Sequence, residues 1–408
     1  MIKLGHNELI ILLTSIGTLL ILARIFAELG KKVRMPIVMG EIMLGIIIGP
    51  TIFGSIAPDI FAFWFPKAGA AKIAMDGITN LAVVMLLFVA GMEVQLQVIL
   101  KQGRTAIYTS FTSMIIPFML GFAAVWFLPG LFNYAPDRKL VYALFFGTAM
   151  AVSALPVITR ILMDLNLFKT KVGMIIIAAA IFDDLTGWLI FSFVLSLMGQ
   201  QGDVTNIWFT IGMIISFGLF MLIIGRWIIN FVLPWIQKNL SWPGGVLSIS
   251  LGFCFLGAAF TEYIGLHAIL GAFIVGIALG DSVHLQERER EIIHQFVTNV
   301  FAPLFFVGIG LKVNFVTNFD WQLVGLVLFL ACVCKVFGAS LGAYMGGLTR
   351  RESLAVGFGL NARGAMEIIL GTLALSAGLI DEKMFVALVV MALLTSMISG
   401  PLMKRFVD

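Results

Sequence analysis

Charge is what this sequence has least of: charged residues fill 12% of its 408 positions, against 60% for hydrophobic ones. A soluble globular domain carries about a quarter of its residues as charge, so that class is excluded. Long hydrophilic runs are missing too, and a separate soluble catalytic or nucleotide-binding domain is therefore not expected. Cysteine is scarce, and Cys254, Cys332 and Cys334 all fall inside apolar segments. Cys332 and Cys334, two apart on a helix, point to different sides, which disfavours a disulfide or a metal centre. The first apolar stretch lacks a basic lead and a small-residue cleavage site, so it reads as a permanent span rather than a signal peptide. No resident cofactor is expected.

What is present is a succession of about thirteen apolar segments of roughly crossing length. They run from about Glu8 to Leu29, Pro36 to Phe53, Ile78 to Ile99, Ala106 to Leu128, Leu140 to Leu162, Val172 to Met198 and Ile207 to Leu233. The second half continues with Gly245 to Tyr263, His267 to Leu279, Thr298 to Val313, Leu323 to Met345, Ser353 to Leu379 and Phe385 to Met403. The fold class is thus an all-α polytopic membrane protein, a single transmembrane domain over 1–408 whose surroundings are the lipid bilayer. The net charge of +4 does not indicate a nucleic-acid partner, because the basic residues sit in short loops that alternate sides. Lys31, Lys32, Arg34, Lys101, Arg104, Lys169, Lys171, Arg350, Arg351, Lys404 and Arg405 gather on one side. The positive-inside rule puts that side, with the C-terminus, in the cytoplasm and the N-terminus outside.

Against this background two carboxylates are conspicuous. Asp183 and Asp184 interrupt the sixth segment, with ten apolar residues from Val172 to Ile181 before Phe182 and the pair, and fourteen residues from Leu185 to Met198 after it. Neither piece alone crosses about 30 Å of hydrocarbon at 1.5 Å per residue, so the spanning helix contains the pair. Asp183 then lies roughly 18 Å from the helix start, near the midplane, where a charge costs about 3 kcal/mol or more. Neighbouring aspartates cannot both ionise cheaply there without a cation close by. Lys335, in the middle of the eleventh segment, is too deep to reach either interface and needs a counter-ion, for which Asp183 or Asp184 is the candidate. Lys312, at a span end, is the weaker alternative. Gly338, Gly342 and Gly346 on the lysine's segment form a ladder that permits close helix contact.

Self-similarity organises the rest. Ile37 to Pro50 (IVMGEIMLGIIIGP) resembles Ala268 to Asp281 (AILGAFIVGIALGD), with Gly40, Gly45 and Gly49 answering Gly271, Gly276 and Gly280. LLFVAGMEV, ending at Val94, answers LFFVGIGLKV, ending at Val313. The second span thus matches the ninth and the third the tenth. A shift of seven spans is odd, so the second copy crosses in the opposite sense, as in inverted-repeat transporters. The first repeat covers about 8–199 (helices 1–6), the linker helix about 207–233, and the second repeat about 245–405 (helices 8–13). Under this mapping the fifth and twelfth spans correspond. Both carry interrupting or polar residues: Thr148, Ser153 and Pro156 in one, Asn361, Arg363, Gly364 and Glu367 in the other. Paired broken helices mark a midplane binding site. Arg363 and Glu367, one turn apart, can pair with each other, and Arg160 is a possible charge partner for Glu367.

These motifs together resemble the monovalent cation:proton antiporters, in the branch with the bacterial sodium/proton exchangers, the Kef systems and the plant cation/proton exchangers. The matching runs are PIVMGEIMLGIIIGP, LLFVAGMEVQL, GTAMAVSALPVITRIL, FDDLTG, the lysine of CKVFG and LNARGAMEIIL, in order over nearly the whole chain. The resemblance implies a core domain with crossed, broken helices 5 and 12, a dimerisation domain and a homodimer in a bacterial inner membrane. It implies that Asp184 carries the cation (Na+, Li+ or K+) or the proton, that Asp183 pairs with Lys335, and that exchange is electrogenic. Asp183, where Kef systems carry glutamine, speaks against gated efflux of the Kef kind. An intramembrane aspartyl protease needs its two carboxylates on different helices and is disfavoured; a cation-coupled solute symporter on the same design is the alternative.

Overall fold

The computed structural model describes residues 5–32, 37–66, 68–94, 103–165, 167–168, 170–199, 207–264 and 266–407. The regular elements are helices, and the described residues contain no strand. In chain order the principal ones are α1 (His6–Lys32), α2 (Ile37–Ile48), α3 (Ala70–Glu93), α4 (Gly103–Phe127), α5 (Lys139–Ala151), α6 (Leu155–Asp164) and α7 (Lys171–Gly199). Then come α8 (Ile207–Phe220), α9 (Arg226–Asn239), α10 (Gly244–Tyr263), α11 (Ala268–Gly280), α12 (Glu287–Phe296) and α13 (Ala302–Lys312). The last are α14 (Trp321–Met345), α15 (Arg350–Leu360), α16 (Ala365–Ser376) and α17 (Glu382–Val407). Single π-turns, Met221–Gly225 and Val297–Phe301, join α8 to α9 and α12 to α13.

Among the described residues, ten helices are long and apolar enough to cross a bilayer, and an eleventh span arises if α15 and α16, bent by 45°, count as one. The expectation of about thirteen differs at two places. The ninth expected segment is α11, whose 13 residues reach only about 20 Å. The fifth is divided into α5 and α6, 13 and 10 residues long, each too short alone. Repeated crossings of this kind make the chain a multi-pass membrane protein.

The chain forms two compact units, each drawing on both halves of the sequence: Met1–Glu93 with Ser216–Asn318, and Val94–Ile215 with Phe319–Asp408. In the first, α2 packs on α13 and α3 on α11. The glycine triads set these contacts. Side chains on Gly45 or Gly49 would strike the backbone of Val307 or Gly310, and side chains on Gly276 or Gly280 the backbone of Phe88 or Met92. The leading glycines face the preceding helices, Gly40 against Phe26 and Ala27 of α1, and Gly271 against Gly257 and Thr261 of α10. Without Cβ atoms the helices approach to backbone contact, which gives dispersion a short range over which to act where burial from water offers no drive.

In the second unit the ladder Gly338, Gly342, Gly346 seats α14 on Thr112, Thr109 and Thr105 of α4. Thr105 Oγ1 donates to Gly346 O at 2.5 Å. The ladder thus provides the close helix contact its spacing permits, and its partner is α4, whose small residues match it. Asp320 caps α14 by accepting from Gln322 N and Leu323 N at 3.0 and 3.2 Å. Thr349 and Glu352 form a reciprocal capping box at the start of α15. Buried Tyr142, Phe145, Phe146 and Phe191 fill the space around α5 and α7.

Candidate functional site

Two helix breaks meet inside the second unit. The α5 helix ends at Ala151, Val152 and Ala154 are extended, and α6 starts at Leu155. The α15 helix ends at Leu360, Asn361 to Gly364 are not helical, and α16 starts at Ala365. Of the residues expected to interrupt the helices, Ser153, Asn361, Arg363 and Gly364 lie in the breaks. Thr148, Pro156 and Glu367 flank them. Thr148 sits in the last turn of α5, donating to Leu144 O at 2.7 Å. Pro156 lies in the first turn of α6, where a missing N–H leaves no helical bond unmade. Its side chain, like that of Arg160 on α6, is outside the described residues, so the expected Arg160 contact is too.

The breaks are tied together by Ala154 N donating to Ala362 O at 3.0 Å and Ser153 Oγ donating to Leu360 O at 2.9 Å. A Cβ on Gly364 would lie 2.9 Å from Val157 Cγ2 and 3.4 Å from Ala154 Cβ, so a side chain there would force the crossing to shift.

A helix that stops in the membrane leaves its last carbonyls without partners. Here two cations supply them. Arg363 Nη1 donates to Ala149 O at 2.5 Å and Nη2 to Met150 O at 2.6 Å, while Lys335 Nζ donates to Ala151 O. Both positive charges thus sit where the partial negative charge of the α5 C-terminus favours them. Each also faces a carboxylate. Lys335 Nζ is 2.6 Å from Asp183 Oδ2, with both side chains 0% exposed. Arg363 Nη1 is 3.1 Å from Glu367 Oε2, and Ser396 Oγ donates to the Arg363 carbonyl. Lys312, the other possible partner for the aspartates, ends α13 in the first unit.

Asp183 is held from two more directions, Ser113 Oγ donating to Oδ1 at 2.9 Å and Ser153 Oγ to Oδ2 at 2.9 Å, and Lys335 itself donates to the Ser113 carbonyl at 3.0 Å. Ser113, on α4, was not among the expected site residues. A lone serine in an apolar helix carries no distinguishing signal, since such hydroxyls commonly bond back to their own helix. Asp184, next along α7, is 3% exposed and within electrostatic reach of Lys335; its turn of about 100° sends it in another direction from Asp183. Asn361, 2% exposed, donates to Cys332 Sγ at 3.5 Å, and its Oδ1 is buried without a hydrogen-bond partner.

Summed over the described residues, this buried cluster holds Asp183, Asp184 and Glu367 against Lys335 and Arg363. Carboxylates buried in a low-dielectric interior are stabilised by a proton or by a monovalent cation, and either can serve. Among the described residues no three His, Cys, Asp or Glu side chains gather as a transition-metal site would require.

A family model described as sodium/hydrogen exchanger, transmembrane, matches residues 17–408. The chain is 29% identical over 404 residues to the Na(+)/H(+) antiporter NhaS4 of Synechocystis, covering 98% of each. It is 27% identical to the Na(+)/H(+)-K(+) antiporter GerN of Bacillus cereus, covering 95% of this chain and 94% of GerN. Cation/H(+) antiporter 17 of Arabidopsis thaliana is 28% identical over 97% of this chain but 48% of its own length. The chain spans about half the length of the plant and yeast relatives it matches. The solved structure of the sodium proton antiporter MjNhaP1 from Methanocaldococcus jannaschii matches with a TM-score of 0.68 at 18% identity, over 98% of this chain and 97% of that one, so the two share a fold.

Proposed function

Because the chain belongs to the sodium/hydrogen exchanger transmembrane family, we propose that it is a secondary antiporter exchanging a monovalent cation, Na+ or alternatively Li+ or K+, for protons. The observation that carries this reading is the gathering of buried ionisable groups at the two helix breaks, Asp183, Asp184 and Glu367 with Lys335 and Arg363, where a proton and an alkali cation can compete for the same carboxylate. Competition for one carboxylate couples the two fluxes. We assign that carboxylate to Asp184, the buried neighbour of the lysine-bound Asp183 in the FDDLTG run whose resemblance to the antiporters implies this role.

In this reading Asp184 binds the cation or the proton, and Asp183 joins it when the cation draws Asp183 from Lys335. Arg363 and Lys335 keep the broken end of α5 capped while the contents of the site change. The neutralised site crosses between the two sides, whereas the empty, charged one does not, and a doubly negative pair would allow more than one proton per cation and hence net charge movement. Membrane potential then contributes about 2.3 kcal/mol per charge per 100 mV. The unit containing the site is the moving core and the other the dimerisation domain of a homodimer in a bacterial inner membrane, with the N-terminus outside. The inverted repeat of thirteen spans is part of this reading; the repeat, though not the span number, is supported by the glycine triads, whose members meet corresponding neighbours in both copies.

The experiment is direct: proteoliposomes loaded acid inside with a pH-sensitive dye should lose their gradient when Na+, Li+ or K+ is added outside. A gradient that survives all three cations overturns the proposal.

A further inference from the structure

We propose that Ser113 is a positioning residue for exchange: with Ser153 it latches Asp183 to Lys335, and the latch is built so that it can open without stranding a polar group. The inference rests on the antiport reading above.

The geometry is unusual in its redundancy. Ser113 is fully buried, and its hydroxyl has two acceptors in reach, Asp183 Oδ1 at 2.9 Å and Ser110 O at 3.1 Å. Ser153 repeats the arrangement on the other carboxylate oxygen, with Asp183 Oδ2 at 2.9 Å and Leu360 O at 2.9 Å. A hydroxyl has one proton to donate, so each serine chooses between the carboxylate and a backbone carbonyl. While Asp183 is charged and in place, the carboxylate takes both protons, because a charged acceptor makes the stronger bond. When a cation draws Asp183 away, the Ser113 proton turns to Ser110 O and the Ser153 proton to Leu360 O. Lys335 behaves alike: after losing Asp183 it keeps the carbonyls of Ser113 and Ala151. Every group that held Asp183 has a second partner already within bonding distance. Ordinary buried ion pairs lack this, and removing one member leaves its neighbours unmatched. The fallback of Ser153 also matters for coupling, since Leu360 O ends α15 and Ser153 lies in the α5–α6 break. Opening the latch therefore strengthens the bond between the two broken helices.

The sign of the effect follows. Ser113→Ala removes a charge-assisted bond from the closed latch but only a neutral bond from the open one, so opening becomes easier. The cation should bind more tightly and leave more slowly, and the difference between the two bond classes corresponds to about fivefold. In proteoliposomes of the full chain, Ser113→Ala should lower the KM for the transported alkali cation about fivefold and lower kcat with it. Ser113→Thr, which keeps the hydroxyl, should return KM to within about twofold of the parent. Ser153→Ala acts on the other oxygen and should shift KM in the same direction, which decides the matter if Ser113→Ala does not fold. Damage to packing alone lowers kcat without tightening the cation. An unchanged or raised KM in the folded alanine variants overturns the latch. Asp184→Asn in the same assay separates the two levels: if it still exchanges, the antiport site itself is misassigned, and if it is inactive while the serine variants keep the parent KM, only the latch fails.

Discussion

Replacing Lys335 with alanine tests the electrostatics of the site apart from transport. Lys335 is 0% exposed and lies 2.6 Å from Asp183, so Lys335→Ala leaves a carboxylate buried without its cation. Breaking a buried ion pair from one side costs about 3–5 kcal/mol, most of it the penalty for the charge left behind. The carbonyl of Ala151 also loses its donor, worth about 1 kcal/mol. Adding Asp183→Asn removes the stranded charge, so Lys335→Ala with Asp183→Asn should be more stable than Lys335→Ala alone, recovering about 2 kcal/mol or more. Asp183→Asn alone should also be less stable than the parent, because it strands the ammonium instead. Denaturation of the detergent-solubilised protein, followed by circular dichroism or a thermal-shift dye, reads all four members of this cycle. Additive losses in the two single variants would refute the account, since contacting partners must show a coupling term.

Other outcomes can be checked alongside. Gly310→Ala should destabilise the protein by about 1–3 kcal/mol, because its Cβ would meet the backbone of Gly45 and Ile46, whereas Gly308→Ala, with nothing near its Cβ, should cost nothing in the same denaturation assay. Arg363→Lys should not restore what Arg363→Ala loses, because one ammonium cannot follow the planar fork that reaches Ala149 O and Met150 O together; a thermal midpoint equal to the parent's would contradict this. Exchange should carry net charge, visible as a transient current on a solid-supported membrane when the cation is added, and Asp183→Asn should reduce the charge moved per cation; an electroneutral parent would refute the stoichiometric part of the reading.

How far the sequence reaches can be judged residue by residue. Asp183, Asp184 and Lys335 were legible because charge is rare in apolar segments and each occurrence demands an explanation. Both helix breaks were legible from clustered polar and helix-disrupting residues, but not their edges. Pro156 looked like the interruption and instead starts a helix, since proline is as compatible with a first turn as with a break. The Gly338 ladder was legible as a close-packing device but not its partner: spacing shows that a helix can approach another closely and does not say which one. Ser113 was invisible for a different reason. Its importance comes from what lies opposite in space, an aspartate 70 positions away and a lysine 222 positions away, and a serine leaves no trace of either in its own surroundings.

The central claim is that one carboxylate, Asp184, takes either the alkali cation or the proton. Its most direct test is dye-monitored exchange by purified Asp184→Asn in proteoliposomes, beside the parent protein at matched density and with folding verified by size-exclusion chromatography. The account predicts that the parent dissipates the gradient on addition of the transported cation and that folded Asp184→Asn does not; exchange by Asp184→Asn at the parent's rate would contradict it.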